Sequence, residues 1–208
     1  KPNIQTQYPA ELTTLISDHL IVPCIAKGSP LPNVFWYYRN SIVSSNATKM
    51  SRVYIESGEF SHGNVTYSYS LLNIKPVTMG DDLGTIKCHA ENVIEKNVWS
   101  NTTVLRTVSN GGDKLTETQY EFGISHTEEI KCPFEGNLGI HSSVIWLKDS
   151  TPITLPRTLV TTDGIQSINE MTHLDFPVVQ LYDQGNYRCI LINGSNIRSS
   201  PFIKVHLI

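Results

Sequence analysis

Hydrophobic positions recur with a period of two in several short stretches of the chain. Side chains two apart on a β-strand face the same side of a sheet, so this period predicts strands with one buried face. In the first half, the predicted inward positions are Leu20, Val22, Cys24, Ala26, Val34, Trp36, Tyr38, Leu72, Ile74 and Ile86. In the second half, they are Ile130, Cys132, Val144, Trp146, Leu174, Phe176, Tyr187 and Leu191. No stretch sustains a helical period, and the predicted fold class is all-β.

The two halves repeat one order of residues: a cysteine in an apolar stretch, a tryptophan, and a second cysteine. The copies are Cys24, Trp36 and Cys88, followed by Cys132, Trp146 and Cys189. A repeat of about 100 residues predicts two tandem domains. Between the copies, Asn110-Gly111-Gly112 permits positive φ and ends a strand, so the junction is predicted to be bendable. We therefore place domain one at 1–107, a linker at 108–113 and domain two at 114–208.

This order resembles the immunoglobulin superfamily, whose B-strand cysteine, C-strand tryptophan and F-strand cysteine it reproduces along the entire chain. The run 183–189 also has the family's E-to-F corner, and Cys88-x-Ala90-x-Asn92 resembles the intermediate, or I-set, subfamily. Spacing alone permits three pairings of the four cysteines. The resemblance implies two tandem antiparallel β-sandwiches, each closed by one inter-sheet disulfide. The implied disulfides are Cys24 with Cys88, and Cys132 with Cys189.

The corner of domain one departs from the family pattern. Ile86 stands where domain two has Tyr187, which brings into question the corner hydrogen bond that a tyrosine makes in this fold. When Asp82 is aligned with Asp183, the stretch from Val77 to Asp82 is one residue longer than the stretch from Val179 to Asp183. The difference affects the corner and leaves the predicted core of domain one intact.

An arginine precedes the predicted strand D in each domain. In the resembled fold such an arginine often pairs with the corner aspartate, which implies pairs of Arg52 with Asp82 and of Arg157 with Asp183. The alternative is that the charges are solvated. On this reading Asp81, next to the corner aspartate of domain one, faces water.

Charge and composition narrow the class of protein. A net charge of -3 and a pI near 6.2 provide no basic stripe for phosphates, so neither nucleic acid nor direct membrane contact is expected. The histidines lack metal-ligand spacing, and no Gly-rich phosphate loop or GxSxG elbow occurs. We therefore expect no metal, no cofactor and no catalytic residue.

Four Asn-x-Ser/Thr sequons indicate an extracellular setting when they are combined with paired cysteines. The predicted glycosylation sites are Asn46, Asn64, Asn101 and Asn193. No apolar run reaches the roughly 18 to 20 residues that span a bilayer. We expect an ectodomain piece of a single-pass membrane protein, or of a secreted one.

Alternation sends aromatic side chains to the outer face of the strands that carry Trp36 and Cys88. The predicted outward positions are Phe35, Tyr37 and Arg39, and, on the neighbouring strand, Lys87, His89 and Glu91. Exposed aromatic and arginine side chains are typical of binding hot spots. The alternative is that a neighbouring strand covers them. We predict that Phe35, Tyr37, Arg39 and His89 contact a partner.

Together these features predict a non-catalytic recognition module of a cell-surface adhesion molecule or signalling receptor. Its partner is an extracellular protein, either a second copy of the chain or a different molecule. Because tandem domains of this kind resemble those of adhesion molecules and of receptor tyrosine kinase ectodomains, the alternatives are a ligand-binding segment of a growth-factor or cytokine receptor and a soluble decoy receptor. A structural role like that of intracellular muscle arrays would need neither sequons nor disulfides.

Overall fold

The computed structural model divides the chain into two compact units. The first covers Lys1–Gly112 and Ser195–Arg198, and the second covers Asp113–Gly194 and Ser199–Ile208. The residues that the structure describes are 1–46, 50–112, 115–134, 142–158 and 172–208. Among them, no helix has the length and apolar character needed to cross a lipid bilayer.

The first unit is a sandwich of two sheets. Its strands are β1 (Asn3–Ile4), β2 (Glu11–Leu15), β3 (Leu20–Lys27), β4 (Asn33–Tyr38), β5 (Ser41–Ile42), β6 (Val53–His62), β7 (Val65–Ile74), β8 (Thr85–Glu91), β9 (Val98–Trp99) and β10 (Thr103–Val108). One sheet has the order β1-β3-β7-β6, and the other has the order β2-β10-β8-β4-β5 with β9 beside β8. Strand β2 runs parallel to β10, and the other strand pairs described within these two sheets are antiparallel.

The core of the first unit lies between these sheets, around a disulfide that joins Cys24 to Cys88. Trp36 packs beside it, fully enclosed, and its indole N–H donates to the carbonyl oxygen of Ser70 at 2.9 Å. The predicted inward positions of β3, β4, β7 and β8 are buried, with one difference. Tyr38 is only half-buried, because its hydroxyl reaches a carboxylate at the edge of the sandwich.

The second unit repeats the architecture. Its strands are β11 (Thr118–Phe122), β12 (Glu128–Lys131), β13 (Ser142–Lys148), β14 (Thr151–Pro152), β15 (Arg157–Thr158), β16 (His173–Phe176), β17 (Gly185–Asn193) and β19 (Ile203–Leu207), and β18 (Asn196–Ser199) follows β17 in the chain. Strands β12 and β16 pair in one sheet. The other sheet has the order β11-β19-β17-β13, with β14 and β15 beside β13 and β18 beside β17.

The core of the second unit surrounds a disulfide between Cys132 and Cys189. Trp146 is buried beside it, and Leu174 is half-buried against the same cluster. The Tyr187 hydroxyl donates to the carbonyl oxygen of Asp183 at 2.6 Å, which is the corner hydrogen bond of this fold. Burial raises the pKa of the Tyr187 hydroxyl, with the carboxylate charge of Asp183 adding to the shift.

The corner of the first unit corrects the sequence alignment. Asp81, and not Asp82, ends the 3₁₀ turn Met79–Asp81, as Asp183 ends the turn Leu181–Asp183. The extra residue of this unit therefore lies after the aspartate, where Leu83 adopts a left-handed φ of 63°. That conformation absorbs the insertion before β8 begins.

Asp81 is fully buried, so the expectation that it faces water is wrong. Its two carboxylate oxygens accept from Arg52 Nη1 at 2.7 Å and Nη2 at 2.9 Å. They also accept from the Tyr38 hydroxyl at 2.5 Å and from the backbone N–H of Thr78 at 2.8 Å. Tyr38, reaching across from β4, thus makes a corner hydrogen bond although Ile86 replaces the usual tyrosine.

These hydrogen-bond donors favour the ionised form of the Asp81 carboxyl group. Burial alone would raise the pKa of the carboxyl group, but the hydrogen bonds from Arg52 and Tyr38 outweigh it and hold the pKa below its usual value. The predicted partner of Arg52, Asp82, instead accepts from the backbone N–H of Thr107 at 2.9 Å. The pair of Arg157 with Asp183 stays a prediction, since the Arg157 side chain lies outside the described part of the chain.

Candidate functional site

A row of rings crosses three neighbouring strands on the outer face of the first unit. The register places Phe35 of β4 opposite His89 of β8, and His89 opposite Trp99 of β9. The Phe35 and His89 rings are stacked with centroids 6.0 Å apart. The His89 and Trp99 rings are 4.1 Å apart with an interplanar angle of 18°. Cross-strand pairs of this kind fix the positions of the rings.

Trp99 extends over His89 toward β4, where its centroid lies 5.2 Å from that of Tyr37. The prediction that His89 is an exposed contact residue is therefore wrong: its side chain is on the outer face but is only 7% exposed. Its Nε2 is 2.6 Å from the carbonyl oxygen of Lys96, which holds the imidazole under the indole. Trp99 itself is 40% exposed, so the tryptophan presents the surface that the histidine was expected to present.

A second row borders the first. Tyr37 is opposite Lys87 on one side and Ile42 on the other, and Ile42 is exposed. The Lys87 ammonium lies 4.6 Å from the centroid of Trp99, within range of a cation–π attraction. We name this surface the aromatic face, which consists of Phe35, Tyr37, Ile42, Lys87, His89 and Trp99.

Arg39 does not join the aromatic face. Strand β4 ends at Tyr38, and the left-handed turn at Arg39 (φ 51°) and Asn40 (φ 63°) interrupts the alternation on which the prediction relied. Arg39 Nε donates to the Tyr38 hydroxyl at 3.2 Å, and Nη2 donates to the carbonyl oxygen of Gly80. The guanidinium thus binds at the corner of the sandwich, and it is not part of the surface formed by Phe35 and Tyr37.

A small pocket opens at one end of the aromatic face. Its volume is about 230 Å³, and it is lined by Tyr37, Asn40, Thr85, Lys87, Trp99 and Thr102. Pockets for whole drug-sized ligands measure roughly 300–1,000 Å³. The lining combines the rings of Tyr37 and Trp99 with an ammonium, an amide and hydroxyl groups. A ligand that consists of one small ring with polar substituents would match this lining.

The sequon asparagines differ in their surroundings. Asn46, Asn64 and Asn101 are exposed, and Asn64 follows the left-handed Gly63 in the turn between β6 and β7. Asn193 at the end of β17 is half-buried, and its Oδ1 accepts from the Ser142 hydroxyl at 3.1 Å. Residues 47 and 48 of the first sequon lie outside the described residues. Glycosylation at all four sites stays a prediction.

The sequence reasoning missed Trp99 and Ile42. Trp99 stands in a two-residue strand between polar residues, too short for periodicity to detect. A hairpin register between β8 and the following segment would have placed it opposite His89. Ile42 could have been found from the turn at Arg39 and Asn40, because a two-residue turn with positive φ pairs the residues on either side.

The first of the two sandwiches matches a known domain family. Residues 1–92 match the family model for the immunoglobulin domain. The second unit has the same arrangement of disulfide, buried tryptophan and corner tyrosine. The class is therefore established: the chain is a tandem of immunoglobulin-like β-sandwich domains.

Relatives resemble the chain over nearly its full length. Contactin-5 of Rattus norvegicus is 24% identical over 97% of the chain, and Hemicentin-1 of Mus musculus is 25% identical over 96%. The matched segments are 16% of Contactin-5 and 3% of Hemicentin-1. The N-terminal Ig1-2 module of the Drosophila receptor protein tyrosine phosphatase DLAR is a structural neighbour, with TM-score 0.62, 20% identity and coverage of 100% of this chain and 98% of that one.

Proposed function

We propose that the chain is a non-catalytic recognition module of a cell-surface adhesion molecule or receptor, and that the aromatic face binds an extracellular protein. Contactins are cell-adhesion proteins, and the similarity extends over almost the whole chain. The two disulfides and the sequons are consistent with an extracellular location, and we infer that the parent is anchored in the plasma membrane.

The observation that carries the proposal is the exposed Trp99 held against Tyr37. A tryptophan left partly in water beside a half-buried tyrosine and an exposed isoleucine has the aromatic and apolar composition of an interface core. The rings are fixed by cross-strand contacts, so little side-chain entropy is lost when a partner covers them. The Lys87 ammonium beside them favours a partner whose contact surface carries a carboxylate.

The test begins with a search for the partner. The purified glycosylated protein is examined by sedimentation for self-association and is screened against a panel of extracellular proteins. Failure to bind either itself or any member of the panel would count against the proposal. A partner found in this way is then used to measure affinities of variants.

Tyr37→Ala is the informative variant. Truncating a hot-spot tyrosine costs about 2 kcal/mol, so we expect Kd to rise about 30-fold. Tyr182→Ala is a matched control, since Tyr182 belongs to the second unit and is a 74% exposed tyrosine. Equal affinity of the wild type and a stably folded double variant, Phe35→Ala with Tyr37→Ala, would exclude the aromatic face as the binding site.

A further inference from the structure

The pocket of the aromatic face lies directly beside a glycosylation sequon. Trp99 is two residues before Asn101, and Thr102, the middle residue of the sequon, is itself part of the pocket lining. Asn101 and Thr102 are both exposed. A sugar attached to Asn101 would therefore start its path at the rim of the pocket.

The backbone around the sequon is fixed. Trp99 and Thr103 are four positions apart in the chain, whereas their partners on β8, His89 and Ile86, are three apart. One extra residue therefore bulges between Trp99 and Thr103. Ser100 anchors the bulge from inside: its N–H donates to the carbonyl oxygen of Cys88 at 2.9 Å, and its hydroxyl accepts from the Cys88 N–H at 2.9 Å. These bonds fix the backbone directly before Asn101, which is two residues after Trp99 and next to the pocket residue Thr102.

The exposed part of Trp99 is suited to a sugar ring. One face of the indole rests on His89, the Lys87 ammonium lies 4.6 Å from the ring centroid, and 40% of the residue is still exposed. The π system carries negative charge density on its face, which attracts the polarised C–H groups on the apolar side of a pyranose. Lys87 can donate to sugar oxygens, and the amide of Asn40 can both donate and accept.

We propose that Asn101 carries an N-linked glycan whose first N-acetylglucosamine packs in this pocket, with its C–H face on Trp99. The volume of about 230 Å³ suits one small ring. The covalent link to Asn101 makes the contact intramolecular, with an effective sugar concentration on the order of millimolar. The linked sugar therefore fills the pocket even if free N-acetylglucosamine binds it weakly. A second consequence rests on the proposed function: the sugar covers Trp99 and Tyr37 and reduces partner binding at the aromatic face.

Tryptophan fluorescence tests the packing without a partner. The chain has three tryptophans, of which Trp36 and Trp146 are 1% and 2% exposed, so acrylamide quenching reports mainly Trp99. The protein is made in a secretory host, and occupancy of Asn101 is measured by glycopeptide mass spectrometry. We expect quenching of the glycosylated protein to be about two-fold weaker than that of Asn101→Gln, because the sugar covers indole surface that is otherwise exposed to solvent.

Asn64→Gln is the matched control. It removes an exposed sequon asparagine from the turn between β6 and β7, in the sheet opposite to the aromatic face, and should leave quenching unchanged. Equal quenching of the wild type and Asn101→Gln overturns the proposal, as does a secreted protein that carries no glycan on Asn101.

Thermal unfolding supplies a second readout. Packing against the indole stabilises the folded unit, so Asn101→Gln should lower the Tm of the first unit by about 3–6 °C. In a Trp99→Ala background the same substitution should have no effect. A loss of the same size in both backgrounds contradicts packing on the indole. Should Trp99→Ala fail to fold, the quenching experiment decides, since it changes only Asn101.

The two proposals fail separately. Weaker quenching together with equal partner affinity of the wild type and Asn101→Gln supports the sugar pocket and overturns masking of the aromatic face. Tighter partner binding by Asn101→Gln supports masking. If the wild type and Asn101→Gln are quenched equally while Tyr37→Ala binds the partner more weakly, the sugar pocket is overturned and the proposed function stands.

Discussion

Asp81→Asn is expected to destabilise the first unit by removing the negative charge from a buried corner. The asparagine keeps the shape and one acceptor oxygen but replaces the other oxygen by an amide donor. It therefore loses about half of the hydrogen bonds from Arg52, Tyr38 and the Thr78 N–H. Hydrogen bonds to charged groups contribute about 1.5–3 kcal/mol each.

The expected cost is smaller than the sum of the lost bonds. The Arg52 side chain is 39% exposed, so water solvates its guanidinium after the carboxylate is removed, and exposed ion pairs contribute about 0–1 kcal/mol. Two acceptor contacts remain with the asparagine oxygen. We therefore expect the free energy of unfolding to fall by about 2 kcal/mol at pH 7.

The stabilisation that the Asp81 carboxylate provides should be lost at low pH. The pKa of Asp81 is lower in the folded state than its usual value of 3.8, so its contribution is present above that value and is lost as the pH falls through the lowered pKa. The difference between the wild type and Asp81→Asn should be constant above about pH 5 and should shrink below about pH 4.

Hydrogen exchange in urea, followed by mass spectrometry of peptides from β3 and β7, isolates the stability of the first unit from that of the second. Asp82→Asn is the matched control, because Asp82 accepts one backbone hydrogen bond and retains an acceptor oxygen as asparagine. We expect it to change stability by less than about 0.5 kcal/mol. Equal effects of the two substitutions, or a difference that persists unchanged at pH 2, would refute the account of the Asp81 charge.

Two further outcomes follow from the structure. Tyr187→Phe, which deletes the 2.6 Å hydrogen bond to the carbonyl oxygen of Asp183, should cost the second unit about 1–2 kcal/mol in urea unfolding; a smaller loss than for Tyr120→Phe at a half-buried ring would contradict this. Peptide mapping of the non-reduced protein should recover Cys24 with Cys88 and Cys132 with Cys189, and a peptide that links Cys24 to Cys132 would contradict both cores.

The two sandwiches could be predicted from the sequence because their cores depend on local patterns. A period of two identifies the inward face of each strand, and a cysteine, tryptophan and second cysteine in order identify the strands that the disulfide joins. Cys24, Trp36 and Cys88 are buried together as that pattern predicts. Phe35 and Tyr37 also lie on the outer face of β4, since alternation holds as long as the strand continues.

The site depended on features that alternation cannot determine. A left-handed turn ends the alternation at Arg39, and a hairpin register brings Trp99 over His89. Two adjacent aspartates are equivalent in sequence, and only the packed corner decides that Asp81 is the one enclosed by Arg52. Side-chain direction within a strand follows from local sterics, whereas the ring that covers another ring depends on contacts between segments distant in the chain, which only the tertiary structure decides.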